Sequence, residues 1–257
     1  MSDALRLVVV DLDDTLLTGG AVHPSSTWLL DGLAERGIRW CVATGRATGR
    51  LVRYFGELEP TAGWVWSHGA LARCGSWSHE ALVAPGHTQV LLGLIDRVAP
   101  EATVGVESGS TLYHDRGYPV VRRPERECVS VGREQMAVLS PQMVRVHAEP
   151  GIGDRLKVAA AAERLPIQCW QVGPDTYVEV TSGWATKLRT VQMLTFELGI
   201  KRGQVAMIGD GIADVGLLSW AGRSVAMVGG HPYAVDAAQG TADDVAGALS
   251  MVLDESV

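Results

Sequence analysis

Runs of consecutive apolar residues near the start of the chain predict buried strands of a parallel sheet. The predicted strands are Leu7–Val10, 38–43 and Trp64–Trp66, with helices predicted at 24–35 and 47–58. A strand that is apolar on both faces is typical of a parallel sheet covered by helices on each side. Strand, helix and strand in this order form a βαβ unit. The N-terminal part of the chain therefore predicts an α/β domain.

The middle of the chain follows a different pattern, in which apolar and polar residues alternate. A hairpin is predicted at 71–82, strands at 103–106, Met143–His147, 166–172 and 176–180, and helices at 88–98 and 154–164. Residues 117–140 show little periodicity and predict an irregular connection. Because alternation is typical of antiparallel strands with one covered face, this part predicts an α+β domain.

The α/β pattern returns after Gly183. Helices are predicted at 186–198, 213–220 and 243–253, the last with Thr241 as its cap, and strands at 204–208 and 224–228. The predicted fold class is therefore α/β, with a Rossmann-like parallel-sheet core and an inserted α+β domain. The core is expected at residues 1–82 and 183–257, and the insertion at 83–182.

Composition narrows the classes of function. Of the 257 residues, 47% are hydrophobic and 20% are charged, which indicates a folded globular protein rather than a disordered one. The net charge of −7 disfavours a nucleic-acid-binding surface, because phosphate backbones require clustered Lys and Arg. An anionic substrate must therefore be attracted locally, by a metal ion or a few well-placed cations.

The cysteines and the apolar runs indicate a cytoplasmic protein. Cys41, Cys74, Cys128 and Cys169 are widely spaced, so reduced thiols are expected rather than a disulfide framework or a zinc site. The sequence shows no signal-peptide pattern, and no apolar run approaches the roughly 18 residues that span a bilayer. We expect no membrane or nucleic-acid partner, and a monomer or weak homodimer.

Polar residues with the chemistry of an active site follow the predicted strands or begin predicted helices. These residues are Asp11, Asp13, Thr44, Lys187, Asp210 and Asp214. Because the carboxyl ends of parallel strands converge on one crevice, we expect these residues to share a site. Several carboxylates in a partly buried site repel one another, and a hard divalent cation such as Mg²⁺ compensates that repulsion.

This set of side chains suits phosphoryl transfer. Asp11 is ionised at neutral pH and can attack phosphorus directly. Asp13 can protonate the departing alkoxide and later accept a proton from water. Thr44 offers a hydroxyl and Lys187 a positive charge to phosphoryl oxygens. Taken one at a time, these motifs also fit ordinary turns and helix caps, but their order and placement favour a shared site.

Four segments together resemble the motifs of the haloacid dehalogenase superfamily. They are Asp11-Leu12-Asp13-Asp14-Thr15, Ala43-Thr44-Gly45-Arg46, Lys187 after Tyr177-Val178-Glu179-Val180, and Gly209-Asp210-Gly211-Ile212-Ala213-Asp214. The chain is most similar to the Cof-like, type IIB branch of sugar phosphatases, which has a C2-type α+β cap after the second motif. The resemblance implies a Mg²⁺-dependent phosphatase that hydrolyses a small phosphomonoester, foremost a sugar phosphate, through an aspartyl phosphate.

The resemblance also implies a role for each matching residue. The catalytic residues would be Asp11 as nucleophile, Asp13 as acid and base, Thr44 and Lys187. Substrate or phosphate would be bound by Leu12, Thr44, Gly45, Arg46, His68, Glu179 and Lys187, with backbone amides of Leu12, Asp13 and Gly45 assisting. The Mg²⁺ ligands would be Asp11, Asp13 through its backbone carbonyl, Asp210 and Asp214.

Three residues depart from the pattern of the branch. Ala213 stands where asparagine is common before Asp214, and Leu188 follows Lys187 where glycine is common. His68 stands where asparagine usually precedes Gly-Ala, so it is either a substrate contact or a hinge residue.

Substrate choice is expected to lie in the inserted domain. The first candidates are Glu179, Arg122, Arg123, His147 and, just after the insertion, Trp184. Two other functions stay open. A sugar phosphomutase uses the same core, and a non-hydrolytic protein could bind a phosphometabolite. Retention of Asp13 argues against the second, because binding alone requires no acid or base.

Overall fold

The computed structural model describes residues 4–22, 24–51, 53–55, 57–120, 127–171 and 176–254. Its strands are β1 (Leu7–Val10), β2 (Leu17–Thr18), β3 (Ala21–Val22), β4 (Arg39–Ala43), β5 (Trp64–Trp66), β6 (Leu71–Cys74), β7 (Trp77–Glu80), β8 (Thr103–Ser108), β9 (Thr111–His114), β10 (Cys128–Ser130), β11 (Met143–His147), β12 (Ile167–Gln171), β13 (Tyr177–Ser182), β14 (Val205–Gly209), β15 (Arg223–Met227) and β16 (Gly240–Ala242). Its helices are α1 (Pro24–Asp31), α2 (Pro85–Val98), α3 (Arg133–Ala137), α4 (Ile152–Ala162), α5 (Lys187–Glu197), α6 (Val215–Trp220), α7 (Pro232–Ala237) and α8 (Val245–Leu253).

The chain divides into two compact units. Unit 1 comprises Met1–Gly45, Glu57–His79 and Thr186–Val257, and unit 2 comprises Arg46–Gly56 and Glu80–Ala185. Unit 2 thus includes a short segment that directly follows Gly45, in addition to the long middle part of the chain.

A mainly parallel sheet forms the centre of unit 1, and it confirms the predicted α/β class. The strand order is β16-β15-β14-β1-β4-β5-β6-β7, and the pairings from β16 to β5 are parallel. All four residues of β1 are buried. Leu7 and Val9 pack in a cluster with residues of α5 and α6, so Val8 and Val10 point to the opposite face. β1 is therefore a central strand between β14 and β4 and is covered on both faces.

A second sheet, with the order β10-β9-β8-β11-β13-β12, forms unit 2. Its pairings are antiparallel except for the parallel pairing of β9 with β10. The valines of β8, β11 and β13 pack against apolar residues of α2 and α4. Since side chains alternate along a strand, the residues between these valines lie on the opposite face of the sheet. That opposite face carries Glu107, Arg145 and Glu179.

Several sequence-based predictions of local structure are wrong. In the described part of the predicted helix at 47–58, the structure has only a 3₁₀ turn, Thr48–Arg50, because Thr48 and Gly49 are poor helix formers. The segment 117–140 contains β10 and α3, which are too short to show a periodicity. The cap of α8 is Asp244, whose carboxylate accepts a hydrogen bond from the Gly247 amide at 2.7 Å, and not Thr241.

Cys41, Cys74, Cys128 and Cys169 are all free thiols. Among the described residues, none of the helices combines the length and apolar character that a bilayer-spanning segment requires.

Candidate active site

Three adjacent strands of unit 1 deliver predicted site residues to the same edge of the sheet. Asp11 directly follows β1, Thr44 follows β4, and Asp210 follows β14. The Asp11 amide donates to the Ile208 carbonyl and the Thr44 amide to the Val65 carbonyl, each at 2.9 Å. These bonds continue the parallel pairing one residue beyond the strands. The side chains therefore emerge at the carboxyl ends, where parallel sheets bind ligands.

Lys187 joins two carboxylates at this edge. Its Nζ donates to Asp11 Oδ1 at 2.7 Å and to Asp214 Oδ1 at 2.8 Å, and all three side chains are buried. Lys187 is the first residue of α5, whose cap is Thr186. A cation at a helix N-terminus opposes the helix dipole, so the two carboxylates are what hold the ammonium group in place.

Asp210 and Asp214 are each positioned by a hydrogen bond. Thr15 Oγ1 donates to Asp210 Oδ1 at 2.6 Å, and the Gly211 amide donates to Asp214 Oδ2 at 2.9 Å. The second bond comes from the backbone, so the departure at Ala213 does not leave the Asp214 carboxylate without a donor. A Cβ at Gly209 would lie 2.8 Å from the Asp214 carboxyl carbon, which explains the glycine at this position.

The cluster contains more acidic groups than basic ones. Burial, together with the Asp214 carboxylate, raises the pKa of Asp11 well above its ordinary value, although Lys187 opposes the shift. Burial also raises the pKa of Asp210, against the hydrogen bond from Thr15. Burial lowers the pKa of Lys187, but Asp11 and Asp214 outweigh that effect, and the net shift is upward. Three carboxylates thus face one ammonium group, and a further cation would relieve the repulsion.

Asp11, Asp210 and Asp214 fit a Mg²⁺ ion. Each offers a carboxylate oxygen, and these oxygens lie within 4.8 Å of one another. Mg²⁺ prefers oxygen ligands and is typically bound by one or two carboxylates with water and substrate phosphate. Asp13 is half-buried, its side chain is not part of this group, and its backbone forms a bridge with Leu17.

The structure brings three of the predicted phosphate-binding residues together in unit 1. Thr44 is fully buried, and its carbonyl accepts a hydrogen bond from the His68 amide at 3.2 Å. A Cβ at Gly45 would lie only 2.5 Å from Cε1 of the His68 ring, so the imidazole lies directly against Gly45. The Leu12 side chain is fully buried, which leaves only its backbone for a phosphate-binding role.

Arg46 and Glu179 belong to unit 2. The Arg46 guanidinium lies over the Tyr54 ring, 5.0 Å from its centroid. Glu179 Oε1 is 2.9 Å from Nη2 of Arg145, whose Nε is 3.3 Å from Glu107 Oε1. Burial lowers the pKa of Arg145, but Glu179 and Glu107 outweigh it and the net shift is upward.

Two other candidates for substrate choice, His147 and Trp184, lie in the described part of the chain. The His147 ring packs against Tyr177 with 4.7 Å between centroids, and Trp184 is 58% exposed. Arg122 and Arg123 lie outside the described residues. Thr15, Glu107 and Arg145 were not predicted from the sequence as members of these clusters. Thr15 had a signal in the Asp-x-Asp-x-Thr pattern, and Arg145 had one as a charge between two valines of a predicted strand.

Known proteins resemble this chain in sequence and in fold. Residues 8–86 and 152–247 match the family of haloacid dehalogenase-like hydrolases. The sugar phosphatase BT4131, described as subclass IIB, is similar in structure with a TM-score of 0.79 and 15% identity, over 96% of this chain and 97% of that one. The phosphatase BT1666 from Bacteroides thetaiotaomicron has a TM-score of 0.80 and 19% identity, over 97% and 94%.

TM0651 from Thermotoga maritima has a TM-score of 0.78 and 16% identity, over 98% of both chains. No curated protein matches the chain by sequence. The structural similarity extends over both units, and at these identities it concerns the fold.

Proposed function

Because the chain belongs to the haloacid dehalogenase-like hydrolases, we propose that it is a Mg²⁺-dependent phosphatase that hydrolyses a small phosphomonoester through an aspartyl phosphate. The observation that supports this most strongly is the group of Asp11, Asp210 and Asp214 around the Lys187 ammonium. Phosphoryl transfer depends mainly on positioning and on stabilising the charge of the transferred group. This group supplies both a carboxylate nucleophile and that stabilisation.

The proposed reaction has two steps. A carboxylate oxygen of Asp11 attacks phosphorus, the bond between phosphorus and the alkyl oxygen breaks, and Asp13 protonates the leaving alkoxide. Asp13 then accepts a proton from the water that attacks the aspartyl phosphate. Inorganic phosphate leaves, and the Asp11 carboxylate is restored. Lys187, the Thr44 hydroxyl and backbone amides of Leu12, Asp13 and Gly45 bind the phosphoryl oxygens throughout.

Asp11, Asp210, Asp214 and the backbone carbonyl of Asp13 are the proposed Mg²⁺ ligands. When bound, the ion supplies positive charge to the phosphoryl oxygens and to the crowded carboxylates. The contribution of the chain is to orient these carboxylates: Thr15 donates a hydrogen bond to Asp210, and the Gly211 amide donates one to Asp214.

Residues 83–182 are the proposed cap that selects the substrate, and residues 1–82 and 183–257 are the proposed core. Arg46 and Glu179 are the proposed substrate contacts, whereas the His68 ring lies against Gly45. We favour a sugar phosphate because BT4131, which shares the fold, is described as a sugar phosphatase. We propose a cytoplasmic monomer or weak homodimer that has no nucleic-acid or membrane partner.

Phosphate release from a panel of sugar, nucleotide and polyol phosphates tests the proposal. With Mg²⁺, at least one member of the panel is expected to be hydrolysed, and chelation of the metal is expected to stop the reaction. Asp11→Asn is expected to reduce kcat by at least about 10³-fold, because the nucleophile is lost.

Asp14→Asn is the matched control. Asp14 is exposed, lies in the same motif, and has a φ of +54°, which asparagine also tolerates. A loss of at most a few-fold is expected. Hydrolysis by Asp11→Asn at the wild-type rate would overturn the mechanism. Isomerised sugar phosphate without phosphate release would indicate a mutase, and tight binding without turnover would indicate a non-hydrolytic protein.

A further inference from the structure

Three consecutive residues after β5 have left-handed backbone conformations. Their φ angles are +52° at Ser67, +56° at His68 and +94° at Gly69. Ser67 and His68 are L-residues, which rarely adopt such angles, and each costs free energy of folding. The Ser67 hydroxyl is also buried, with no hydrogen-bond partner among the described residues. Such costs persist where the surrounding structure imposes them, and they cluster at functional sites.

One side of this Ser67–Gly69 turn packs against the end of β4. The His68 amide donates to the Thr44 carbonyl at 3.2 Å. Its imidazole lies so close to Gly45 that a Cβ there would be 2.5 Å from Cε1, 2.9 Å from Nε2 and 3.0 Å from Nδ1. The ring therefore limits where the Thr44-Gly45 backbone can move.

The other side of the turn packs against the start of α5. A Cβ at Gly69 would lie 2.4 Å from the Thr186 carbonyl oxygen and 2.9 Å from the Lys187 amide nitrogen. The Thr190 hydroxyl donates to the Gly69 carbonyl at 2.7 Å. The turn is thus held between the segment that carries Thr44 and the segment that carries Lys187.

The geometry points to His68 as a positioning residue that sets Thr44 and Gly45 against Lys187, with its imidazole as the spacer. This inference rests on the proposed function, because it assigns the role of Thr44 and Lys187 to phosphate binding. The Ser67–Gly69 turn would then be a third chain segment that sets the geometry of the phosphate site, although it supplies none of the proposed Mg²⁺ ligands. Substitutions at His68 then change the binding of the phosphoryl group without removing a nucleophile, an acid or a metal ligand.

The test compares His68→Gly with His68→Asn. Glycine accepts the left-handed φ but removes the spacer, so kcat is expected to fall at least 10-fold and KM to rise, because both depend on how Thr44 and Lys187 hold the phosphoryl group. Asparagine also tolerates this φ and retains a planar group, and it is expected to recover kcat to within about 3-fold of wild type. Arg164→Gly is the matched control. Arg164 also has a left-handed φ, +53°, but lies in unit 2 after α4, and its change is expected to leave kcat unaltered.

Gly45→Ala supplies a second arm. The added Cβ collides with the imidazole in the wild-type background, and His68→Gly removes that collision. We expect the double variant to have a smaller loss of kcat than the product of the two single losses. Multiplicative losses, an unchanged kcat in His68→Gly, or a His68→Asn as slow as His68→Gly would each overturn the positioning role.

Titration of inorganic phosphate with Mg²⁺ present separates this inference from the proposed function. A wild-type protein that binds phosphate without turning over any phosphomonoester would contradict the proposed function alone. The positioning role would then be judged on the phosphate Kd, which is expected to rise at least 10-fold in His68→Gly and to recover in His68→Asn. An unchanged Kd in His68→Gly, or a wild-type protein that binds no phosphate, would contradict it.

Discussion

Each unit of the protein buries one cation between two carboxylates, but the two clusters are built differently. In unit 1, Lys187 bridges Asp11 and Asp214 at 2.7 and 2.8 Å. In unit 2, Arg145 bridges Glu107 and Glu179 at 3.3 and 2.9 Å. The first cluster lies where strands end and a helix begins, and the second lies within the strands of an antiparallel sheet.

The position in the fold decides what each cluster can do. Asp210 adds a third carboxylate to the Lys187 cluster, and a compact ammonium group leaves oxygens of all three available for a metal ion. The Arg145 guanidinium is planar and contacts one carboxylate on each neighbouring strand. Strand ends therefore provide a group whose carboxylate oxygens lie close enough together to hold a cation. The strand interior provides a group that ties β8, β11 and β13 together.

The largest expected effect in this comparison is on the stability of unit 2. Arg145→Met leaves two carboxylates buried together, and removing one partner of a buried ion pair costs about 3–5 kcal/mol. Urea denaturation measures the loss. Arg155→Met is the matched control, because Arg155 is exposed and its hydrogen bond to the Val98 carbonyl involves no carboxylate. An equal loss in the two variants would show that the Arg145 cluster does not stabilise the sheet.

A smaller effect should separate the two clusters by their response to metal. Lys187→Met also leaves carboxylates unpaired, but Mg²⁺ can replace the lost positive charge there. A ligand at 100 times its Kd stabilises a folded protein by about 2.7 kcal/mol. We expect thermal unfolding to show a larger rise in Tm with Mg²⁺ for Lys187→Met than for wild type. The Tm of Arg145→Met should rise with Mg²⁺ by the same amount as that of wild type. A larger rise would show that Mg²⁺ can replace the cation in both clusters.

The pH dependence of stability should also distinguish the clusters. The pKa values of Asp11 and Asp210 are raised in the fold, so the metal-free folded state binds protons more tightly than the unfolded chain. The stabilisation that these two carboxyl groups give the metal-free folded state is complete below the ordinary carboxyl pKa of about 4. It is lost as pH rises through the raised pKa values. Each unit of pKa difference corresponds to about 1.4 kcal/mol.

Thermal unfolding across pH in a chelator measures this dependence, and Asp11→Asn should flatten it. The raised pKa of Arg145 lies beyond the pH range over which the protein can be titrated. Arg145 therefore adds no pH dependence to the stability in this range. If the free energy of unfolding without metal instead rose through the same pH range, the carboxylates of unit 1 would not be unfavourably crowded.

The smallest expected effect concerns an exposed ion pair in unit 2. Arg97 Nη2 lies 2.8 Å from Glu163 Oε1, and both side chains are at least half exposed. Exposed pairs contribute about 0–1 kcal/mol, because water screens the charges. Arg97→Ala is expected to change the urea midpoint little, and salt should not enlarge the effect. A loss comparable to that of Arg145→Met would mean that burial does not explain the strength of the Arg145 cluster.

Residues that follow an apolar strand were the easiest to predict. Asp11 and Thr44 each come directly after a run of buried residues, and parallel strands bring such positions to one edge. Short elements were not predictable from the sequence. α3 has only five residues, and the described part of 47–58 forms a 3₁₀ turn at Thr48–Arg50 where a helix was predicted. The conformation of the Ser67–Gly69 turn was also not predictable, because serine and histidine give no sequence signal for a left-handed φ.

The sequence by itself determined the parallel-sheet core and the residues that meet at its edge, because buried strands and the polar residues that end them are local patterns. Only the tertiary structure decided that Lys187 bridges Asp11 and Asp214, that His68 lies against Gly45, and that Arg145 lies between Glu107 and Glu179. In unit 2 the reason is register, since a shift of one residue would turn Arg145 to the opposite face of the sheet. In unit 1 the reason is that the bridging groups come from segments far apart in the chain, whose distances only the packed fold sets.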